Sequence, residues 1–185
     1  MLTVFLTVFA RAEGAIHAGG HMADFINTIE RALIDALRTD FPDFVVFGQY
    51  PQAEDVKYPC IIVQQFANGL EEKFYGQRMT FGGEEKKGEL YGMAFAIHVM
   101  VDIDSSIEAT PDGGSSTEVY KQRRLLNYAM LNIANTLMDV TFPAAKVEVT
   151  ERHFAGFRDV DYVEELELWG ASTTLTIAFQ NYRPV

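Results

Sequence analysis

The chain has 185 residues, of which 48% are hydrophobic and 22% are charged, so a wholly disordered chain is excluded and the length suits one domain with a single core. Its 26 acidic and 15 basic side chains give a formal charge of −11, which excludes a protein that grips nucleic acid through a broad basic face. The single cysteine, Cys60, excludes an internal disulfide framework and a cysteine-rich zinc site.

Residues 1–21 are predicted to form an N-terminal extension ahead of a single domain at 22–185. The apolar run at 1–10 is too short to span a membrane, which takes about 20 residues, and it lacks the positive start of a signal peptide. Its uncharged, β-prone composition favours an arm that pairs with a neighbouring chain. Alternatively, residues 1–21 lie upstream of the natural start, because Met22 follows a stretch whose codons can resemble a ribosome-binding site.

The first predicted elements are a helix and a short strand. Asp24 is a suitable N-cap for a helix that runs to about Arg38 and ends before Pro42. A single apolar stripe on this helix contains Ile26, Ile29, Leu33 and Leu37. Residues 45–47 are predicted to form a short β-strand.

A single long β-hairpin is predicted for residues 59–103, with its arm at about 66–98. β-Branched residues indicate a strand at 59–66, and residues 93–103 alternate strictly between apolar and less apolar positions. The turn is placed at Gly82-Gly83, since a structureless loop of about 25 residues is rare in a compact domain. This folding sets three pairs opposite each other: Phe81 and Glu84, Phe74 and Tyr91, and Phe66 and Val99.

The length of this hairpin predicts that its outer part protrudes. Two strands of about 20 residues span roughly 65 Å, whereas a domain of this size is about 40 Å across. A protruding hairpin with aromatic side chains calls for a partner surface; the alternative is a disordered acidic loop. The candidate interface residues on the hairpin are Phe74, Tyr75, Phe81 and Tyr91.

The second half of the chain is predicted to contain one helix and the last strands. Residues 104–117 are predicted to be a turn-rich linker. Ser115 and Glu118 form a capping box for a helix that runs to about Met138. A strand follows at 146–150, and residues 163–169 and 171–182 form a closing antiparallel pair. The predicted fold is α+β: a mostly antiparallel sheet with a long protruding β-hairpin and two main helices packed on one side.

No motif in the sequence supports catalysis, and no cofactor or metal site is predicted. The start Asp102-x-Asp104-x-Ser106 lacks the later ligands of a calcium loop, and the four scattered His residues match no zinc template, since none has a Cys at ligand spacing. A charged surface is favoured for the acidic segment Asp159, Asp161, Glu164, Glu165 and Glu167, whose spacing matches no ligand template. The chain is therefore predicted not to be an enzyme; the alternative from another class is a small acidic metal-dependent enzyme that uses this segment.

One basic cluster and one tryptophan remain as candidate interface residues. Lys121, Arg123 and Arg124 lie in the first turns of the second predicted helix, where they are suited to dock on the acidic face of an identical chain or to remain a solvated surface. Trp169 is the only tryptophan and is suited either to the core or to anchoring an interface.

The order of these elements across residues 22–183 resembles the tail-terminator and tail-completion proteins of tailed bacteriophages. The resemblance includes the first helix, the strand after Tyr58-Pro59, the long hairpin with its Gly82-Gly83 turn, the second helix and the last strand, which ends at Asn181-Tyr182. It is a resemblance of architecture, and no diagnostic motif accompanies it.

This resemblance implies a structural protein of the virion that assembles in the host cytoplasm into a hexameric ring, without catalysis, cofactor or membrane contact. The ring ends the tail tube and joins it to the head, so the implied partners are the tail tube protein, the head–tail connector and the tail sheath. DNA would pass through without specific binding, and an acidic lumen would repel its phosphates. The candidate lumen residues are Glu84, Glu85, Asp159 and Asp161. A head-completion protein of the same neck remains an alternative.

Overall fold

The computed structural model describes residues 21–52, 55–81, 84–111, 114–142 and 147–184. For residues 21–26, 67–81, 84–91, 147–148, 150, 159 and 180–184 the description covers the backbone alone. Residues 1–20 of the predicted extension at 1–21 and the predicted turn at Gly82-Gly83 lie outside the described residues. The elements in chain order are α1 (His21–Asp40), β1 (Val45–Phe47), β2 (Cys60–Phe81), β3 (Glu84–Asp102), β4 (Ser106–Ala109), β5 (Glu118–Lys121), α2 (Gln122–Asp139), β6 (Val147–Phe154), β7 (Arg158–Val163) and β8 (Leu168–Pro184).

Helix α1 follows its apolar stripe and is longer than predicted. Ile29, Leu33 and Leu37 are fully buried, as their spacing requires. The helix begins at His21, so Asp24 lies inside its first turn and the N-cap prediction is wrong. Arg38 near its end donates from Nη2 to the backbone oxygen of Val46 at 3.2 Å, which ties the helix to β1.

The main sheet has the strand order β1-β2-β3-β8-β6, and β7 pairs with β8 on the same side as β6. Only β1 and β2 run parallel; every other described pair is antiparallel. The two helices and this mostly antiparallel sheet confirm the predicted α+β class.

The core lies between the helices and one face of the sheet. Alternate residues of β3, from Met93 to Val101, are buried there together with Leu175 and Ile177 of β8. Helix α2 contacts β3 and β8, α1 contacts β1 and β2, and the helices contact each other. The opposite face carries the intervening residues of β3, among them Ala96 and His98.

Strands β2 and β3 form the predicted hairpin, with a different register over most of its length. Phe81 pairs with Glu84 as predicted, but Leu70 pairs with Tyr91 and Ile61 with Val99, so the predicted pairings of Phe74 and Phe66 are wrong. Irregularities at three places on β2 absorb five extra residues between the pairs Phe81–Glu84 and Cys60–Met100. The predicted pairs assumed one-to-one pairing from the turn onward, and such pairing does not allow for bulges.

The hairpin also has a third strand beside it. β8 pairs with residues 86–102 of β3, from the pair Asp102–Leu168 to the pair Lys86–Pro184. The predicted two-stranded arm is therefore part of a three-stranded ribbon in the order β2-β3-β8, because β8 continues alongside β3.

The segment predicted to be a linker and a helix cap contains a small second sheet. β4 and β5 pair from Ser106–Lys121 to Ala109–Glu118. Glu118 therefore lies in a strand and α2 begins only at Gln122, so the predicted capping box is wrong. The pairing brings Ile107 and Tyr120 into the core, and this burial outweighs the local helix signal.

The predicted closing pair at 163–169 and 171–182 is also wrong. Residues 168–184 form one continuous strand, β8, and the described residues 164–166 form a single 3₁₀ turn before it. Glu167 has a left-handed backbone with φ of 50° and ends this turn directly before β8.

Candidate assembly surfaces

Strand β2 has a long border without a neighbouring strand. β1 pairs with it only from Cys60 to Ile62, and no other strand in the described ranges pairs with that side. We call the segment of β2 from Val63 to Phe81 the open edge. Such an edge presents backbone N–H and C=O groups to another strand.

The open edge begins at three residues with unusual environments. The side-chain atoms Gln64 Oε1 and Gln65 Nε2 are buried and have no hydrogen-bond partner within the described structure. Phe66 follows in the irregularity between Gln65 and Ala67, and 48% of its surface is exposed. Buried polar atoms usually have a partner, and large aromatic side chains are usually covered, so this point of the edge is suited to a contact.

The ribbon extends further than the helices can cover. β3 has 19 residues and no register shift against β8, which corresponds to about 60 Å. The helices have 20 and 18 residues, or about 30 Å and 27 Å. The hydrophobic core includes Val63 of β2 and Met93 of β3, and both strands continue well beyond these residues towards the turn.

The interface and lumen residues predicted on the hairpin lie on this outer half. Phe74 and Tyr75 fall in the irregular segment of β2 between Lys73 and Arg78. The backbone positions of Phe81, Tyr91, Glu84 and Glu85 are part of the ribbon. Their side chains lie outside the described part of the structure, so their roles remain predictions.

The basic cluster lies at the junction of β5 and α2. Lys121, Arg123 and Arg124 are all exposed. Arg124 forms an ion pair with Glu118, and its guanidinium lies 4.8 Å from the ring centroid of Tyr120. Of these three residues, Lys121 and Arg123 have no ion-pair partner among the described side chains.

Trp169 connects this cluster to the sheet. Its ring is partly buried against the core and lies 4.8 Å from the ring of Tyr162, measured between centroids. The guanidinium of Arg123 lies 5.8 Å from the Trp169 ring. Exposed apolar side chains, Val160 and Leu166, lie in the same β7–β8 region. Trp, Tyr and Arg are the side chains that most often anchor protein interfaces, so this stack is a second candidate surface.

The acidic segment adjoins that stack. Asp161 precedes Tyr162, and the exposed residues Glu164, Glu165 and Glu167 lie in the turn before Trp169. Among the residues that the structure describes, no group of three His, Cys, Asp or Glu side chains could hold a metal ion. Asp161, predicted for the lumen, directly precedes Tyr162 on β7 and pairs with Gly170, so it lies on the face of the sheet opposite the Tyr162–Trp169 stack and Arg123. The side chain of Asp159 is not described.

The sheet face away from the helices carries His98 and Cys60. The ring of Tyr50 lies over His98 with 5.3 Å between centroids, and burial lowers the pKa of His98. His98 Nε2 is buried and has no partner within the described structure. Cys60 is fully buried, and desolvation, with a smaller contribution from the Asp102 carboxylate, raises the pKa of its thiol to about 12. A buried thiol of this kind is a poor nucleophile.

A polar groove of about 510 Å³ lies between α1 and α2. Its lining includes Asp40, Tyr128, Asn132 and Thr136. The hydroxyl of Thr136 donates to Asp40 Oδ2 at 2.7 Å, which joins the two helices across the groove.

Sequence reasoning missed several residues that shape these surfaces. Tyr162 becomes notable only because it pairs with Trp169 across β7 and β8. The sequence predicts that Gln64 and Gln65 lie in a strand, but their position on the border of the sheet follows from the shortness of β1, which ends at Phe47. The only local signal for Phe66 was a large aromatic residue directly after two polar ones at the end of an apolar run.

The sequence matches no protein-family model and no curated protein. Neither helix of the described structure is long and apolar enough to cross a membrane.

Proposed function

We propose that this protein is a structural subunit of a phage virion that assembles into a ring, ends the tail tube and joins it to the head connector. The observation that carries the proposal is the three-stranded ribbon of β2, β3 and β8, which extends past the helices and has an open edge on β2. A strand border of this length is an aggregation hazard in a free monomer, whereas assembly with defined neighbours turns it into a binding surface.

The charge of the chain supports a ring around DNA. Each copy carries a formal charge of −11. Six copies around a channel would repel the phosphates, so that the duplex slides through without being held. The acidic residues proposed for the lumen are Glu84 and Glu85 near the hairpin turn and Asp159 and Asp161 on β7. The tail tube protein, the connector and the tail sheath are the proposed neighbours of the ring.

The first test measures the mass of the protein alone and on tail tubes. Light scattering and mass photometry of the purified protein are expected to give a hexamer, either in free solution or after addition of tail tubes that lack their terminal ring. Electron microscopy should then place density at one end of each tube. A protein that remains monomeric and binds no tube contradicts the proposal; binding to capsid portals instead of tubes would identify a head-completion protein.

A variant of the ribbon separates folding from assembly. Residues 73–89 are replaced with Asn-Gly, which joins the paired residues Glu72 and Leu90 through a two-residue turn. Because the core residues from Met93 onward are retained, the variant should unfold cooperatively near the wild-type temperature but form no ring. A variant that assembles normally would show that the outer ribbon has no part in the ring.

A further inference from the structure

We infer that the open edge of β2 in one copy pairs antiparallel with the β6–β7 border of the next copy, so that the sheet continues from subunit to subunit. This inference rests on the proposed ring and names its contact. It assigns the open edge to one occupant, a second copy of this chain.

The hydrogen bond between Val45 N–H and Pro59 C=O, at 3.0 Å, establishes which backbone groups of β2 face outward. In a parallel ladder with Val45 opposite Cys60, this bond means that Ile61 directs its N–H and C=O towards β1, while Cys60 directs its own towards β3. The direction of the backbone N–H and C=O groups alternates along a strand, so those of Val63 and Gln65 also point away from β3. Since β1 ends opposite Ile62, the amide of Gln65 is the first outward donor beyond the reach of β1.

The side chains at the same point indicate a missing neighbour. Gln64 Oε1 and Gln65 Nε2 are buried without a partner in the described structure, and an unsatisfied buried polar atom is costly. Phe66, in the adjacent irregularity, is half exposed. A strand laid along the edge at Gln65 would bond the outward amide of Gln65 and cover the exposed ring of Phe66.

The other side of the sheet offers a matching border. β6 and β7 pair with β8 on their inner side, and within the described ranges no strand pairs with their outer side. The pairings across the sheet set their levels: Phe154 pairs with Leu175, Leu175 with Phe95 and Phe95 with Gln65, and the same path leads from Val147 to Lys73. β6 is therefore level with residues 65–73 of the open edge, whereas β7 is level with the part of β2 that β1 covers.

The directions of the strands make a second copy the suitable partner. β2, β3, β8 and β6 are successively antiparallel, so β6 and β7 run opposite to β2. Rotation about an axis roughly along the strands preserves these directions. It therefore brings the β6–β7 border of one copy antiparallel to the open edge of the next, in a head-to-tail contact that closes into a ring.

Hydrogen exchange of the full-length protein, read at single residues by NMR or by fragmentation mass spectrometry, tests the contact. On passing from dilute to assembled protein, the Gln65 amide and the outward amides of 151–154 should exchange together at least about tenfold more slowly. The Gln64 amide, which already lies in the β2–β3 ladder, should change little. Assembly without this paired protection overturns the inference but leaves the proposed ring intact.

A matched pair of variants tests the same contact by assembly. Phe66→Lys places a charge at the start of the open edge, whereas Leu131→Lys makes the same kind of change on α2, where the side chain is 65% exposed. Phe66→Lys should raise the concentration needed for assembly about tenfold, because lysine protects edges from pairing. Leu131→Lys should leave it within about twofold, since an exposed helix position carries no edge.

Three other results would overturn the inference. Equal assembly by both variants would exclude the open edge as the contact. Edge amides already protected in dilute monomer would assign the edge to the same chain, with residues 1–20 as the candidate strand. Protection of β2 without protection of the β6–β7 border would assign it to a different protein. Failure to form rings with or without tail tubes would instead refute the proposed function.

Discussion

The guanidinium of Arg123, in the first turn of α2, lies 5.8 Å from the centroid of the Trp169 ring on β8. Tyr162 of β7 lies against the same ring, with 4.8 Å between centroids and 39° between planes. Three elements thus contribute one side chain each to a single stack. The contact fastens the start of α2 to the end of the sheet where β7 and β8 meet, and it places two predicted interface residues side by side.

We predict that Tyr162→Ala exposes Trp169 to water. Trp169 is the only tryptophan, so its fluorescence should shift to longer wavelength and be quenched more readily by acrylamide. The loss of the aromatic pair should lower the free energy of unfolding by about 1 kcal/mol. Tyr50→Ala, on the opposite face of the sheet, is the control and should leave the emission unchanged. An unshifted spectrum in the Tyr162 variant would mean that the stack does not form in solution.

Arg152 is predicted to stabilise the C-terminal end of α2. Its guanidinium donates to the backbone oxygens of Leu137, Met138 and Val140 and lies 4.8 Å from the ring centroid of Phe142. Arg152→Met leaves these carbonyl groups without their donor, so urea denaturation should show a loss of about 1–3 kcal/mol.

Two further variants qualify this result. Arg152→Lys retains the charge but cannot reach several carbonyls with one planar group, so an intermediate loss is expected. His153→Gln, at the exposed neighbouring position of β6, should have little effect. Equal stability of Arg152→Met and the wild type would contradict the capping role.

Cys60 should be nearly inert in the folded protein. Its thiol pKa is raised from 9.0 to about 12, chiefly by burial and further by the Asp102 carboxylate. At pH 8 the thiolate fraction is then about a thousandfold lower than for an ordinary thiol. Labelling with a disulfide reagent should therefore be at least that much slower in buffer than in concentrated urea. Rapid labelling of the native protein would show that the sheet face over Cys60 is open to solvent.

His98 is predicted to reduce stability in mild acid. Burial lowers its pKa below the ordinary value of 6.5, so in the unfolded chain it takes up a proton near pH 6.5 and in the folded chain only at lower pH. The unfolded state then binds more protons in this window, and the free energy of unfolding falls as the pH drops below about 6.5. His98→Phe should flatten this part of the profile, measured by urea denaturation between pH 5 and 8. Parallel profiles for both proteins would contradict the prediction.

Local pattern was sufficient for the long regular elements. The alternation from Met93 to Ile103 and the turn at Gly82-Gly83 predicted the hairpin, and the spacing of Ile29, Leu33 and Leu37 predicted the buried face of α1. These predictions succeeded because each depends on periodicity within one segment. The capping box at Ser115 failed because β5 finds its partner in β4, and this pairing buries Tyr120.

By itself, the sequence determined the fold class, the long hairpin and the acidic character of the chain, since these follow from periodicity and composition. The tertiary structure alone decided that β8 extends the hairpin into three strands, that β1 leaves most of β2 unpaired, and that Arg123 meets Trp169. The register along β2 belongs to the same group, because its irregularities are seen only in the pairing with β3. Such relationships join segments distant in the chain, and their energies come from pairing and burial that no local pattern records.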